Sequence, residues 1–408
     1  MWVNKQFWIY SFIPCIFYIL FCGFTIERYL IVNDKETRQK TQTINLDNIT
    51  DSLKEAHVKK IIADSVLQPT PEEYKDIKQR YPDLQSDEVI PPLVFLDKYK
   101  MLQKKMMNGT IPERYLCYDS SNPGFGNKML GLVTALVVAM STDRGFALCG
   151  WDAFTAYYKL PFEVPVFQRK DWSSWRLVRW GPGCRNHPEL DKGTLEENIP
   201  EDTFRFMSNC LDIEYMGVRK RYNKYFNKIG FPISRTCNSF DSYKIVKYFY
   251  NYVLLPSDYV SQKVEEEYSK WPKGYTIGIQ IRMGKHADFN NDRKEFQNMN
   301  SVNMMFAKAQ VMTREVSQPV HWFVVSDSSV VKQRAIKNYP KYVITYNSTI
   351  IHCGGPSNKK ILQGCYDALI EMYLLSKCDN YILTSGSSFG RVSTWVKKDN
   401  NILFTPCL

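Results

Sequence analysis

The clearest pattern in the chain is an alternation of short apolar runs with amphipathic stretches, from residue 275 onward. YTIGIQI (275–281), HWFVVS (321–326), YVITY (342–346), YILTS (381–385) and NILFT (401–405) carry the β-branched and aromatic residues of strands. Between them lie SVNMMFAKAQVMTREV, SVVKQRAIKNY and CYDALIEMYLLSKC, which have helical spacing. In the last, Tyr366, Leu369, Ile370, Tyr373 and Leu374 share one face. Strands separated by helices of this length predict a parallel sheet with crossover helices. Further upstream, KMLGLVTALVVAM (128–140) predicts a buried helix and Gly145 to Cys149 a strand after it. Residues 151–250 are aromatic and basic with scattered turns, and no regular pattern emerges there.

The amino terminus has a different character. Residues 7–24, FWIYSFIPCIFYILFCGF, hold no charged side chain and are about a bilayer crossing long. The expectation is a six-residue cytosolic tail (1–6) and a signal anchor (7–24); a cleaved signal peptide ending near Cys22 and Gly23 is the rival. Residues 25–90 are polar, poor in aromatics and broken by Pro69, Pro71 and Pro82, which suits a stem with some helix. Two α/β domains follow, 91–262 and 263–408, the second holding the regular alternation.

Composition narrows the chemistry. Lys plus Arg exceed Asp plus Glu by 53 to 42 for a formal charge of +11. No dense basic run interleaved with aromatics is present, so nucleic acid is not an expected partner. Asn48, Asn108 and Asn347 head sequons and accept N-glycans if they face a lumen. Of eleven cysteines, nine lie beyond the apolar span; their odd number leaves one unpaired or bonded to another chain, and spacing does not give the connectivity. Neither C-x-x-C nor histidines at metal-ligand spacing occur, so no zinc site or resident cofactor is expected.

Candidate chemistry sits where strands end. TSGSSFG after the fourth strand offers Gly386 to turn the backbone and the hydroxyls and amides of Ser387, Ser388 and Phe389 to cradle a phosphate; an ordinary capped Ser/Gly loop fits the same residues. Arg282 ends its strand, where a guanidinium could grip two diphosphate oxygens, or lie on a solvated edge. Gly124-Phe125-Gly126-Asn127 is a second glycine-rich turn into a helix, weak alone as a phosphate signal. No Asp-x-Asp triplet, H-E-x-x-H helix or Walker sequence occurs. A sugar transferase built on this chain would have to use arginine, hydroxyls and helix termini where others use a metal.

Several blocks together resemble one family, the plant-type xyloglucan (α-1,2) fucosyltransferases, within the GDP-fucose-dependent transferases. They are GFGNKML (124–130) with STDR (141–144), the run from Gly145 to Pro161-Phe162, YVLLPSDYV (252–260), IGIQIRMG (277–284) and ALIEMYLLSKCDNYILTSGSSFG (368–390). The resemblance covers roughly 90–408 as dispersed blocks. It implies a type II Golgi enzyme with two Rossmann-like domains facing across a cleft, the GT-B arrangement, moving L-fucose from GDP-fucose to a glycan hydroxyl with inversion and no metal. By the same resemblance Arg282 takes the leaving-group charge. Gln280, Ser326, Asp327, Thr384, Ser385, Ser387, Ser388 and Phe389 are implied on the donor side, with Gly124, Gly126 and Asn127 on the cleft wall. Where the family usually has an aspartate before the Pro-Phe pair this chain has Ala156, and TSGSSFG is one residue shorter and lacks a tryptophan. Asp152, one helical turn before Ala156, is therefore the candidate for general base, with Asp119 or a bound water as the alternatives. Another nucleotide sugar, or a silent membrane-tethered glycan-binding protein of the same fold, are the alternatives.

Overall fold

The computed structural model describes residues 69–396 except 83, 85–86, 120–123, 151–153, 181–192, 209–210, 218–219, 232–241, 286, 289–294 and 352–358. The expected anchor at 7–24, Asn48, Asp152 and the strand at 401–405 lie outside the described residues. Among the described residues no helix is long and apolar enough to cross a membrane.

Among the described residues eleven strands form three sheets. The first has the order β4 (Val166–Phe167), β2 (Gly145–Cys149), β1 (Tyr115–Tyr118), β6 (Phe204–Ser208), β5 (Leu177–Trp180), with every pair parallel. The second runs β10 (Val343–Ile344), β9 (Val320–Ser326), β8 (Tyr275–Ile281), β11 (Asn380–Leu383), also wholly parallel. A short antiparallel ribbon pairs β3 (Tyr158–Lys159) with β7 (Leu255–Pro256). The helices of nine residues or more are α1 (Pro71–Arg80), α2 (Ile90–Met107), α3 (Phe125–Ser141), α4 (Asp258–Tyr268), α5 (Met299–Arg314), α6 (Ser329–Asn338), α7 (Lys359–Ser376) and α8 (Ser388–Val396).

The expected parallel α/β architecture is present, and its reasons are local. Strands β1 and β2 are buried at every residue, as parallel strands covered on both faces must be. Helix α3 is apolar all round because the first sheet lies on one side of it and α8 on the other; of its residues only Asn127 is not buried. Strands β5 and β6 give order to the stretch in which the sequence shows none. Helix α1 lies within the proline-broken stretch read as a stem, and its Ile77 is buried in the core. A disulfide joins Cys117 on β1 to Cys149 on β2. Cys365 is also disulfide-bonded, whereas Cys378 remains a buried thiol.

Three elements differ from expectation. The strand expected over 342–346 pairs only at Val343–Ile344, because the chain then leaves the sheet edge: Lys332 Nζ donates to the Tyr346 carbonyl at 3.4 Å and the Tyr346 hydroxyl donates to Asp367 at 3.2 Å. Helix α7 starts at Lys359, six residues ahead of the expected Cys365. Helix α3 starts at Phe125, so the glycine-rich turn belongs to the helix, with Gly124 as its N-cap.

Candidate functional site

The second sheet starts at β8, builds outward to β9 and β10, then returns to the other side of β8 as β11. The strand order therefore reverses at β8; in the first sheet the chain passes from β4 at one edge to β5 at the other and then inward to β6, beside β1. Such reversals open crevices beyond the carboxyl ends of the strands, where ligands bind in open parallel sheets. A cleft open to solvent lies there, lined by Gly124, Phe125 and Gly126 from the start of α3, Gln280 and Arg282 from β8 and its end, and Val325, Ser326 and Asp327 from β9 and its end. Phe389 of α8 closes one side; the segment Ser348 to Ile351 and Gly364, Ala368 and Glu371 of α7 form the opposite wall.

Seven residues expected from sequence, Gly124, Gly126, Gln280, Arg282, Ser326, Asp327 and Phe389, thus meet in one cleft. The Arg282 guanidinium lies 4.6 Å over the Phe296 ring, which orients it, and its backbone N–H donates to Thr384 Oγ1 at 2.9 Å. Two helix N-termini converge here as well. A Cβ at Gly126 would lie 2.5 Å from the Phe389 amide nitrogen and 2.7 Å from Ser388 Oγ, so only glycine lets the first turns of α3 and α8 approach this closely. Unsatisfied first-turn amides and the positive ends of two helix dipoles suit an anion.

Other expected residues have different work. Thr384 is buried, and its hydroxyl donates to the Gln280 carbonyl at 3.0 Å while accepting from Arg282; it braces β11 to β8 instead of facing the cleft. The Ser387 amide donates to the Thr384 carbonyl at 3.1 Å inside the turn that Gly386 permits with φ 73°, which leaves the amides of Ser388 and Phe389 for an anion. Ser385 is exposed and Asn127 half-buried, and neither lines the cleft. Asp327 lines it, but its carboxylate accepts from the Met283 amide at 2.7 Å and the Gly284 amide at 3.1 Å, which fixes the chain after β8. Burial pushes that carboxyl above its ordinary range, against the pull of those amides and Arg282. Asp119 follows β1, 3.9 Å from an Arg205 nitrogen and outside the cleft lining. Asn108 and Asn347 are exposed, and Asn347 precedes the wall residue Ser348.

Two features were not expected from sequence. One is the wall segment itself; the other is Glu371, a buried acid whose Oε1 accepts from Lys332 Nζ at 2.5 Å and Ser348 Oγ at 2.9 Å. Burial raises its carboxyl above the ordinary range, and Lys332 opposes that rise. One turn earlier on α7, Asp367, which does not line the cleft, accepts from the Thr349 amide at 2.8 Å and from Gln363 at 2.9 Å. Among the described residues no cluster of three or more His, Cys, Asp or Glu could hold a metal ion.

Lys128, in the first turn of α3, is buried, and that burial lowers its amine to about 8. Its folded-state pKa lies below the unfolded value, so its contribution to stability is full above about pH 10.5 and is lost as pH falls through 8. Lys128→Met is expected to raise the melting temperature at pH 6, by no more than about 3 kcal/mol of stability, with the gain shrinking toward pH 10. Thermal unfolding across that pH range checks it; a gain independent of pH would refute the assignment.

The fold is of the two-sheet α/β class, with a cleft beyond the carboxyl end of the second parallel sheet that the start of α3, which follows β1, also lines. Residues 237–399 match the family model of Nodulation protein Z (NodZ). The fold is similar to that of an arginine-to-lysine mutant of Arabidopsis thaliana FUT1 in complex with GDP, at 17% identity and a TM-score of 0.56, over 79% of this chain and 80% of that one. More distant likenesses are the fucosyltransferase NodZ from Bradyrhizobium (18% identity, TM-score 0.40, 70% of this chain and 93% of that one) and POFUT1 in complex with GDP-fucose (13%, 0.38, 70% and 94%). No curated protein matches the sequence.

Proposed function

We propose that the protein is a fucosyltransferase that moves L-fucose from GDP-fucose to a hydroxyl of a glycan acceptor. The observation that carries this reading is the convergence of Arg282 with the first turns of α3 and α8 in one cleft. It places a planar cation and two sets of helix amides around one anion-sized space, as a departing diphosphate requires. The match of residues 237–399 to the NodZ model and the fold shared with FUT1 in complex with GDP support the choice of donor.

In the proposed reaction an acceptor oxygen forms a bond to the fucose anomeric carbon while the bond from that carbon to the diphosphate oxygen breaks, with inversion. Charge develops mainly on the leaving diphosphate, so pre-set donors aimed at it supply most of the acceleration. Arg282, held by Phe296, and the Ser388 and Phe389 amides are those donors. The base moiety is assigned to the part of the cleft lined by Ile350, Ile351, Ala368 and Glu371. An ionised carboxylate there suits guanine, whose edge presents two N–H donors where adenine presents an acceptor. The acceptor's proton goes to a general base, Asp152 or a bound water; Asp119, beside Arg205 and outside the cleft lining, is not placed to take it. An α-1,2 linkage, a single-pass Golgi anchor at 7–24 with a luminal catalytic part, and turnover without a divalent metal complete the reading. They rest on the family resemblance, the apolar run and the absence of an acidic triplet in the sequence.

The test incubates the full-length protein with labelled GDP-fucose, GDP-mannose and UDP-galactose, with and without a glycan array, in EDTA and in manganese. Donor cleavage is expected from GDP-fucose alone and unchanged by EDTA. Cleavage of another donor only would replace the sugar assignment, and binding without cleavage would favour a silent glycan-binding protein.

A further inference from the structure

Behind the cleft wall, three separate elements meet at one ammonium group. Lys332, one turn into α6, is buried and donates to Glu371 Oε1 on α7 at 2.5 Å, to Ser348 Oγ at 2.7 Å and to the Tyr346 carbonyl at 3.4 Å. An ammonium has three protons, and these acceptors use all of them. Ser348 closes the ring by donating to the same Glu371 oxygen. One helical turn earlier on α7, Asp367 takes the Tyr346 hydroxyl and the Thr349 amide. Beyond Thr349 the wall is fixed by contact: a Cβ at Gly364 would sit 1.7 Å from Ile351 Cγ2, so Ile351 lies directly on the α7 backbone. Lys332 itself does not line the cleft, whereas Ser348, Thr349, Ile350, Ile351 and Glu371 do.

We propose that Lys332 is a positioning residue for the nucleotide slot: from behind the wall its ammonium clamps Glu371 and the segment Tyr346 to Ile351 in the arrangement that receives the base. This rests on the nucleotide reading of the cleft. A buried ion pair is a poor source of net stability, and an apolar pair of similar volume commonly does as well. What it supplies here is a positive charge against a carboxylate that burial pushes toward its neutral form. Without the ammonium, Glu371 is left buried with only the Ser348 hydroxyl, and burial drives such a group to take up a proton. A protonated Glu371 no longer offers an ionised acceptor at Oε2, the oxygen that the bonds from Lys332 and Ser348 to Oε1 do not use, and Tyr346 and Ser348 lose a shared anchor.

The experiment compares full-length wild type with Lys332→Met and Lys332→Gln. It measures GDP affinity by calorimetry, KM and kcat for GDP-fucose, and hydrogen exchange of the amides from Tyr346 to Ile351, with those of α5 as an internal control. The Met and Gln variants are expected to bind GDP at least tenfold more weakly and to raise KM similarly, with kcat at saturating donor within threefold of wild type. Wall amides should exchange at least tenfold faster while α5 is unchanged. A merely structural ion pair would lower the melting temperature yet leave the GDP affinity of the folded protein and the wall exchange at wild-type values; that result overturns the proposal. Should Lys332→Met fail to fold, Lys332→Gln, which keeps a hydrogen-bond donor without the charge, decides by the same readouts. If wild type binds no GDP, the nucleotide reading is what fails, and exchange alone then decides the clamp: unchanged wall amides refute it, faster ones uphold it.

Discussion

Arg282→Lys lowers turnover or donor affinity ten- to a hundredfold and leaves the melting temperature close to wild type; Arg282→Ala lowers activity further. Lysine keeps one positive charge but loses the planar fork that grips two oxygens at once, and it loses the stacking on Phe296 that holds the guanidinium at 4.6 Å. Charge-assisted bonds of about 1.5–3 kcal/mol are at stake, which sets the size of the effect. The fold survives because the tie that matters for β8 is made by the Arg282 backbone to Thr384, and any residue can make it. Donor release, GDP calorimetry and thermal unfolding on the same preparations check this. If both variants bind GDP and turn over like wild type, Arg282 does not carry the leaving-group charge. If melting falls steeply together with activity, its contribution is structural.

The parts of this architecture that show in the sequence are those where burial is uniform along an element. VTALVVAM in α3 and GFALC in β2 are wholly buried and therefore read as apolar runs. Strand β5 at the sheet edge and its neighbour β6 do not, because Arg179 and Arg205 interrupt runs whose buried residues are Val178, Trp180, Phe204 and Phe206. The cleft is legible on the side where strand ends carry unusual chemistry, at Arg282, Ser326-Asp327 and the glycines of both helix starts. Its far wall is not, since Asn347-Ser348-Thr349 reads as a sequon and its place in the cleft depends on long-range bonds to Asp367 and Glu371. A signal was nevertheless present: two acids one turn apart in a helix otherwise read by its apolar face. Buried acids need partners, and looking for those partners leads to Lys332 and the wall. Thr384 and Ser387 show the converse, being polar residues in the right loop of which the first spends its hydroxyl on β8 and the second its amide on closing the turn.

The closeness of α3 to α8 gives the largest expected effect of a single added methyl group. A Cβ at residue 126 would meet the Phe389 amide nitrogen at 2.5 Å and its Cα at 2.9 Å, and these are backbone atoms at the start of a packed helix. No side-chain rotation relieves the clash, so Gly126→Ala must push the first turn of α8 away from the cleft. Overpacking of this kind costs about 1–3 kcal/mol of stability. Displacing the Ser388 and Phe389 amides from the diphosphate should weaken GDP binding at least tenfold, a loss of about 1.4 kcal/mol or more. Gly386→Ala separates contact from conformation: nothing lies within 4 Å of its Cβ, but φ is 73°, where an alanine is strained by about 1–2 kcal/mol. That variant should lose stability with a smaller loss of GDP affinity, because strain in the turn does not by itself move the helix start. Calorimetric titration of GDP into both variants, paired with their unfolding curves, separates the two effects. Wild-type affinity in Gly126→Ala would mean that the α8 amides do not hold the diphosphate, leaving the anion to Arg282 and the start of α3.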